Sequence, residues 1–402
     1  MAAGKSRATA RQLARPAMGL SLRASYHGSM ATTTGVRLTP GIMGRLRLAS
    51  QGLLGPGFES VPDAVRIMTA MQAQDLQAAL WAVGQRVPGS RVDDVRGALD
   101  RAEIVRSWPM RGTLHVLAPE DLKWMLAITS ERLIRGMAGR HRELDIDARD
   151  VEASRDAALD LVQGGRSATR QQLFAAFEAA GQSTAGQRGI HLLGMLCQRA
   201  WLVQGPLAGN QQLIKAFDEW IPKSRELDRA EGLAELLLRY MLSHGPATER
   251  DFAWWSSTPL TEVRTALERV KDQLVELDFA GVSYWLSPAT AALLEEGVPG
   301  QRTVLALPGF DEFLLGYTDR TLVLPPGHAD KVVPGGNGMF KKTIVSGGQV
   351  IGTWARAAAS KAGTGRAAAV VPEPFDTVNG LRPAAQKSFE LQAAKYLKFL
   401  GG

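Results

Sequence analysis

One cysteine in 402 residues, Cys197, excludes an intramolecular disulfide and a cysteine-built metal site. Its setting, HLLGMLCQRAWLV, has helical apolar spacing and marks it as core. The six histidines are scattered without ligand spacing, so a dedicated zinc site is not expected. No apolar run reaches the roughly 18 residues that a bilayer-spanning helix needs. There is no secretory leader pattern either, and an intracellular, cytoplasmic protein without membrane contact is expected.

Acids are missing from the start of the chain. Residues 1–50 hold Lys5, Arg7, Arg11, Arg15, Arg23, Arg37, Arg45 and Arg47, and the first acid is Glu59. The 47 bases less these eight leave 39 against 40 acids, so the net charge of +7 belongs to one end. A basic average is therefore no argument for nucleic acid; a DNA surface would have to come from local segregation of charge. The first thirty residues, rich in Arg, Ala and Ser, fit a transit peptide, a disordered tail, or a start called too early with Met30 as the true one.

What is present is repetition. VRGALDRAEIVRSWPMRGTLHVLAP from Val95 and VRTALERVKDQLVELDFAGVSYWLSP from Val263 share Val-Arg-x-Ala-Leu-x-Arg, an extended segment, and a Gly, Leu, Pro series. Gly112, Leu117 and Pro119 match Gly281, Leu286 and Pro288. A looser copy runs from Ile190 to Ile214. Each copy reads as an amphipathic helix followed by two short alternating strands around a turn. Shorter helices precede the latter two copies, with Ser167 and Thr248 as expected caps. Helix, helix and hairpin make a winged helix-turn-helix, here three times.

The predicted fold class is α+β and mostly helical. The expected divisions are a basic tail (1–39), winged-helix units at 40–145, 146–224 and 225–298, and a β-rich C-terminal region (299–402). In that last region Ser346-Gly347-Gly348-Gln349 reads as a hairpin turn, AASKAGTGRAAA as a second hairpin tip, and PAAQKSFELQAAKYLKFL as an amphipathic helix with a basic end.

The stretch AMQAQDLQAALWAVGQR, residues 70–86, raises a chemical question. The apolar phase of Ile67 and Met71 slips before Leu76, Leu80 and Val83, and Asp75 is a good N-cap for a helix from Leu76. Gln72 and Gln74 are thus expected in a tight joint between two helices. In a continuous helix residues i and i+2 diverge by about 200°, whereas at a joint their amides can converge on one point. Gln-x-Gln alone is a weak signal, since glutamine is common on helix surfaces.

Its context is more specific. RLRLASQGLLGP (45–56), Gln72-Ala73-Gln74-Asp75, RSWPMRGTLHVLAPEDLKW, LPGFDEFLLGYTDR and GMFKKTIVSGGQVIGTW resemble, in this order, the AlkZ-like family of bacterial DNA glycosylases. The resemblance covers roughly residues 40–400 and places the chain with the Gln-x-Gln branch. It implies three tandem winged helices in a C-shaped arrangement around duplex DNA. It also implies excision of alkylated bases by a monofunctional enzyme without metal or cofactor, with Gln72 and Gln74 at the active centre.

Amides suit that chemistry. A purine alkylated at N7 or N3 is cationic and leaves as a neutral base, so no general acid is needed. The sugar becomes oxocarbenium-like and needs an oriented water, which glutamine can hold through its acceptor oxygen and two donors. The expected partner is double-stranded DNA with alkylated bases, bound near the nucleoid by a monomer; bulky adducts and interstrand crosslinks are candidate substrates. Arg45, Arg47, Arg111, His115, Lys341, Lys342 and Arg356 are the candidate DNA contacts, and Val332 to Gly352 the candidate groove-probing hairpin. Asp311-Glu312 reads as structural, orienting Arg320, and Trp254-Trp255 as core. The alternative function is a non-catalytic winged-helix DNA-binding protein such as a transcription regulator; a third is an inactive family member that shields adducts.

Overall fold

Local chemistry sets the first helix: Thr39 accepts the Ile42 amide and Pro40 occupies the opening turn of α1 (Pro40–Ser50). The computed structural model describes residues 36–357 and 369–401. Most of the basic tail and nearly all of the AASKAGTGRAAA stretch lie outside the described residues.

A pattern of three helices and a hairpin then occurs three times. The first comprises α2 (Val61–Met68), a short strand β1 (Ala70–Gln72), α3 (Leu76–Arg86), α4 (Val92–Asp100), β2 (Val105–Met110) and β3 (Thr113–Leu117). Helices α5 (Pro119–Gly136) and α6 (Ala138–Glu143) lead to the second, α7 (Ala148–Val162), α8 (Arg170–Ala179), α9 (Arg188–Gln198), β4 (Leu202–Ala208) and β5 (Gln211–Ala216), closed by α10 (Phe217–Trp220). The third holds α11 (Arg229–His244), α12 (Glu249–Ser256), α13 (Leu260–Val270), β6 (Val275–Phe279) and β7 (Val282–Leu286), with α14 (Pro288–Glu296) behind it. The C-terminal region adds β8 (Val304–Leu307), α15 (Glu312–Leu315), α16 (Ala329–Val332), β9 (Thr343–Ser346), β10 (Gln349–Ala357), β11 (Ala369–Pro374) and α17 (Pro383–Phe399). Among the described residues no helix is long and apolar enough to cross a membrane.

The repeated sequence encodes repeated geometry. Val95, Ala98 and Leu99 are buried on α4, as Val263, Ala266 and Leu267 are on α13. Arg111-Gly112 and Ala280-Gly281 both take positive φ (54°, 65° and 55°, 75°), the type I′ turn that suits twisted strands. Leu117 and Leu286 end their strands, and Pro119 and Pro288 open the next helices.

Two local expectations are corrected. Helix α2 buries Val61, Ala64, Val65 and Met68 while Ile67 is 47% exposed, so the stripe does not run from Ile67 to Met71. Thr69, at φ 69° and ψ −58°, stops the helix, and Met71 enters β1 instead. The cap of α8 is Thr169, in a capping box with Gln172, rather than Ser167. Ala168 is still bridged to Ile214 in an extended backbone, which delays the helix. Thr248 caps α12 with Asp251 as expected.

The first two hairpins merge into one five-stranded sheet, ordered β1-β3-β2-β4-β5, while β6 and β7 stand apart. The C-terminal strands form a second sheet, β11-β10-β9-β8. It is locked to the first repeat by indole donors: Trp81 Nε1 to the Ala306 carbonyl (3.0 Å) and Trp354 Nε1 to that of Leu307 (2.8 Å). Tyr396 and Phe399 of α17 pack on Trp81, with ring centroids 5.3 and 5.1 Å away. A Cβ at Gly84 would fall 2.2 Å from Phe399, so only glycine allows this approach.

The Ser346–Gln349 turn is formed as expected, with Gly347 and Gly348 at positive φ. It does not reach outward: a Cβ on Gly44 of α1 would lie 2.0 Å from the Gly348 carbonyl oxygen. Within the Val332–Gly352 segment this turn is therefore packed on a helix, while residues 335–339 are exposed. The other C-terminal hairpin, β10–β11, joins through residues 358–368, which lie outside the described ones and carry Lys361 and Arg366.

Beneath both sheets lies a buried ion pair. Arg86 donates to both Asp311 oxygens (2.9 and 3.0 Å) and to the Gln51 side chain and carbonyl (3.0 Å each). Asp311 therefore serves Arg86 and the start of α15, while Arg320 donates to the Leu314 carbonyl, which corrects the expected Asp311–Arg320 pairing. Removing one partner of such a pair strands the other charge. Asp311→Ala is expected to cost about 3–5 kcal/mol in denaturant unfolding; a loss under about 1 kcal/mol would show the pair to be dispensable.

Candidate active site

Gln72 lies at the end of β1, opposite His115, which in turn lies opposite Ser107 on β2. Directly opposed residues share a sheet face, so Gln72, His115 and Ser107 form one row. The joint between helices is thus a strand rather than a bare turn. The strand ends at Gln72, and Gln74 follows in a bend two residues on. The Ala73 amide continues the ladder to the Leu114 carbonyl (2.7 Å), and the Leu114 amide donates to Gln74 Oε1 (3.2 Å). Gln74 is exposed at the strand's end and Gln72 is 9% exposed. Asp75 accepts the Ala78 amide (3.1 Å) and starts α3, as the sequence indicated.

The two amides differ in how they are held. Gln74 Oε1 is fixed by a backbone donor, which leaves its amino group free to donate. Among the described residues the Gln72 side chain has no hydrogen-bond partner, and its Oε1 is buried. Arg111 Nη1, Thr113 Oγ1 and Ser107 Oγ are also buried and unpartnered. Buried polar atoms usually find partners, and several orphans in one neighbourhood mark a place where water or ligand belongs.

His115 is no base here. Its Nδ1 faces the Thr113 carbonyl at 2.9 Å and must donate, so Nε2 accepts from Arg111 Nη2 at 3.0 Å. Burial, helped by the Arg111 charge, drives the imidazole pKa down to about 3. Arg111 reaches over the sheet because its backbone takes the positive φ of the turn. Its guanidinium stands 5.1 Å from the Trp254 ring, and Arg320 lies at 5.1 Å from the same ring and 5.0 Å from Phe340. Trp255 is core as expected, whereas half-buried Trp254 is a platform for these two arginines.

Beside the free edge of β1 is Glu312, fully buried. Its Oε1 accepts the Gln72 backbone amide (2.9 Å), and its Oε2 accepts Trp255 Nε1 (3.0 Å) and faces His244 Nε2 (3.4 Å). Burial opposes ionisation, but His244, the Arg111 charge and the Gln72 amide outweigh it and hold the carboxyl at about 2. Burial lowers the His244 pKa, against the upward pull of Glu312.

On the far side Arg106 clamps the motif. It donates to the Ala73 carbonyl (2.8 Å), the Gln74 carbonyl (3.4 Å), and the side chains of Gln204 and Gln212 in the second repeat (3.0 Å each). Burial lowers its pKa to about 10, against the pull of Asp75. From Gln74 and Arg106 a cleft of about 1080 Å³ opens between the first sheet and the second repeat. It is lined by amides such as Gln171, Gln204 and Gln212, with Arg170, His141 and His191, and none of its lining residues is acidic.

The structure brings Gln72, Gln74, Arg111 and His115 together and separates the remaining candidates. Arg47 is 1% exposed, donates to the Pro246 carbonyl (3.0 Å), approaches Asp251 (3.9 Å) and lies over the Tyr317 ring at 3.6 Å. It is a core residue, and the expectation of a phosphate contact is corrected. Arg45 is only partly buried and donates to the Val298 carbonyl (2.7 Å), bracing a loop. Lys341 and Arg356 are exposed and Lys342 is half-buried, its amine 5.0 Å over Trp354; all three sit on or beside the C-terminal sheet. Arg106, Trp254, Arg320 and Glu312 are the site residues that the sequence reading did not assign. Arg106 had a signal, a charged residue in an otherwise apolar strand; Glu312 had one in the acid pair after LPGF.

A family model described as DNA glycosylase AlkZ-like matches residues 65–399. An interstrand DNA cross-link repair glycosylase from Streptomyces sahachiroi is 26% identical over 308 residues, covering 73% of this chain and 82% of its own. The solved structure of the Streptomyces sahachiroi DNA glycosylase AlkZ aligns with a TM-score of 0.76 at 23% identity, over 91% of this chain and 98% of that one.

A buried neutral histidine makes stability depend on pH. Its folded pKa lies near 3, below the ordinary 6.5. Below 6.5 the unfolded chain therefore takes up a proton that the folded one refuses. Stability from His115 is present above 6.5 and is lost as pH falls toward 3. The unfolding midpoint should drop through that window, and less steeply in His115→Gln; equal slopes would show that His115 is not the group responsible.

Proposed function

The chain belongs to the AlkZ-like DNA glycosylases, and on that premise we propose that it hydrolyses the N-glycosidic bond of cationic N7- or N3-alkylated purines in duplex DNA, using Gln72 and Gln74. The three helix–hairpin repeats act as winged helices set around the duplex, and the protein works as a monomer. Family membership favours the enzyme over the winged-helix regulator.

The observation that carries the reading is the unpartnered, buried amide oxygen of Gln72 beside an amide, Gln74, that a backbone donor aims. A cationic adduct departs as a neutral base and takes the bonding pair with it. Positive charge appears on the sugar, and water adds to the anomeric carbon and gives its proton to solvent. Gln72 Oε1 accepts from that water and Gln74 contributes a second amide. Neither takes the proton; they orient and polarise. The neighbouring groups fit this division, since the His115 acceptor nitrogen is occupied by Arg111 and Glu312 has its oxygens engaged. Poor leaving groups such as uracil are expected to resist.

Arg111 and Arg320, stacked on Trp254, are suited to the DNA phosphates near the lesion, and the acid-free cleft to a groove or to the bulk of an adduct. Lys341, Lys342, Arg356 and the β10–β11 hairpin would meet the backbone further away. Bulky adducts and interstrand crosslinks are the candidate natural substrates, as the name of the Streptomyces relative suggests.

Release of N7-methylguanine from methylated duplex DNA tests the assignment. Gln72→Ala and Gln74→Ala are each expected to slow single-turnover release by about 100-fold, the scale of lost orientation, while duplex affinity stays near wild type. Release that survives both substitutions would move the chemistry to other residues.

A further inference from the structure

Strand β1 is an edge strand, paired with β3 on one side only. The Ala73 amide points inward to the Leu114 carbonyl, so the Gln72 amide points out of the sheet, where no strand receives it. A buried backbone donor cannot be left unmade. Glu312 meets it at 2.9 Å from a segment 240 residues further on. The Gln72 side chain, by contrast, has no hydrogen bond among the described residues, so where its amide points depends on the backbone of β1 and on packing alone.

We propose that Glu312 is a positioning residue for the reaction: its carboxylate fixes the backbone of Gln72 from the free edge of β1 and thereby aims the water-holding amide. This rests on the catalytic reading of Gln72 given above. The carboxylate is itself held rigidly. Asp311 caps the turn that carries it and is tied to Arg86, while Trp255 Nε1 takes the other oxygen. The edge of β1 is thus referenced to α3, α12 and α15 together.

The form of the carboxylate matters. Glutamine at this position offers one acceptor oxygen to two donors, the Gln72 amide and the Trp255 indole, and turns an amino group toward one of them. Aspartate keeps the charge but withdraws the oxygens by one methylene. Both variants should therefore release Gln72 while leaving the DNA surface intact.

The test uses Glu312→Gln and Glu312→Asp in the full chain, with single-turnover release of N7-methylguanine, duplex affinity, and deuterium uptake over residues 69–75. Each variant is expected to slow release by about tenfold or more, on the scale that small misplacements cost, with affinity near wild type and faster exchange in that segment. Joined to Gln72→Ala, Glu312→Gln should slow release no further, since both act through one group. If Glu312→Gln fails to fold, Glu312→Asp decides alone. Wild-type release with wild-type exchange, or losses that multiply with Gln72→Ala, would overturn the proposal. Faster exchange in the Glu312 variants, with release intact in Gln72→Ala, would instead keep the positioning and overturn the catalytic assignment.

Discussion

The site depends on two adjacent buried acids, Asp311 and Glu312, being satisfied at once. Neighbouring carboxylates in a protein interior repel and resist desolvation. Here each is given its own donors: Arg86 for Asp311, and the Gln72 amide and the Trp255 indole for Glu312. Meeting those demands brings α3, α12 and the C-terminal segment together at the free edge of β1. The strand carrying Gln72 is accordingly built from both ends of the chain.

Next to these acids lie the neutral amides to which we assign the proposed chemistry. His115 is kept uncharged by burial and by Arg111, and Glu312 is kept charged by its donors, so neither changes state in the physiological range. A site whose titratable groups are locked is suited to a substrate that already carries its own charge. What such a site supplies is placement: Arg106 fixes the carbonyls of Ala73 and Gln74, Leu114 aims Gln74, and Glu312 fixes Gln72.

The legible parts of this architecture were those written locally. The Val-Arg-x-Ala-Leu-x-Arg stripes, the Gly112 and Gly281 turns, and the Asp75 and Thr248 caps each depend on residues within one or two turns of chain. The illegible parts were long-range. Nothing near Arg47 announces Pro246 or Asp251, about two hundred residues away, and it was read as a surface base although it is core. Strand β1 has three residues, too few to alternate visibly, and it forms only because β3 is present to pair with it. The acids after LPGF read as structural in the sequence; that Glu312 is directed at Gln72 is visible only in three dimensions.

Catalysis by oriented amides, without proton transfer from a protein group, is most directly tested by a pH profile. Release of N7-methylguanine under single-turnover conditions should be divided at each pH by the spontaneous loss from the same DNA, which removes the substrate's own ionisation. A ratio that stays flat between about pH 5.5 and 8.5 is the expected result. A limb of unit slope within that range would reveal a titrating catalytic acid or base and would contradict the assignment of the chemistry to Gln72 and Gln74.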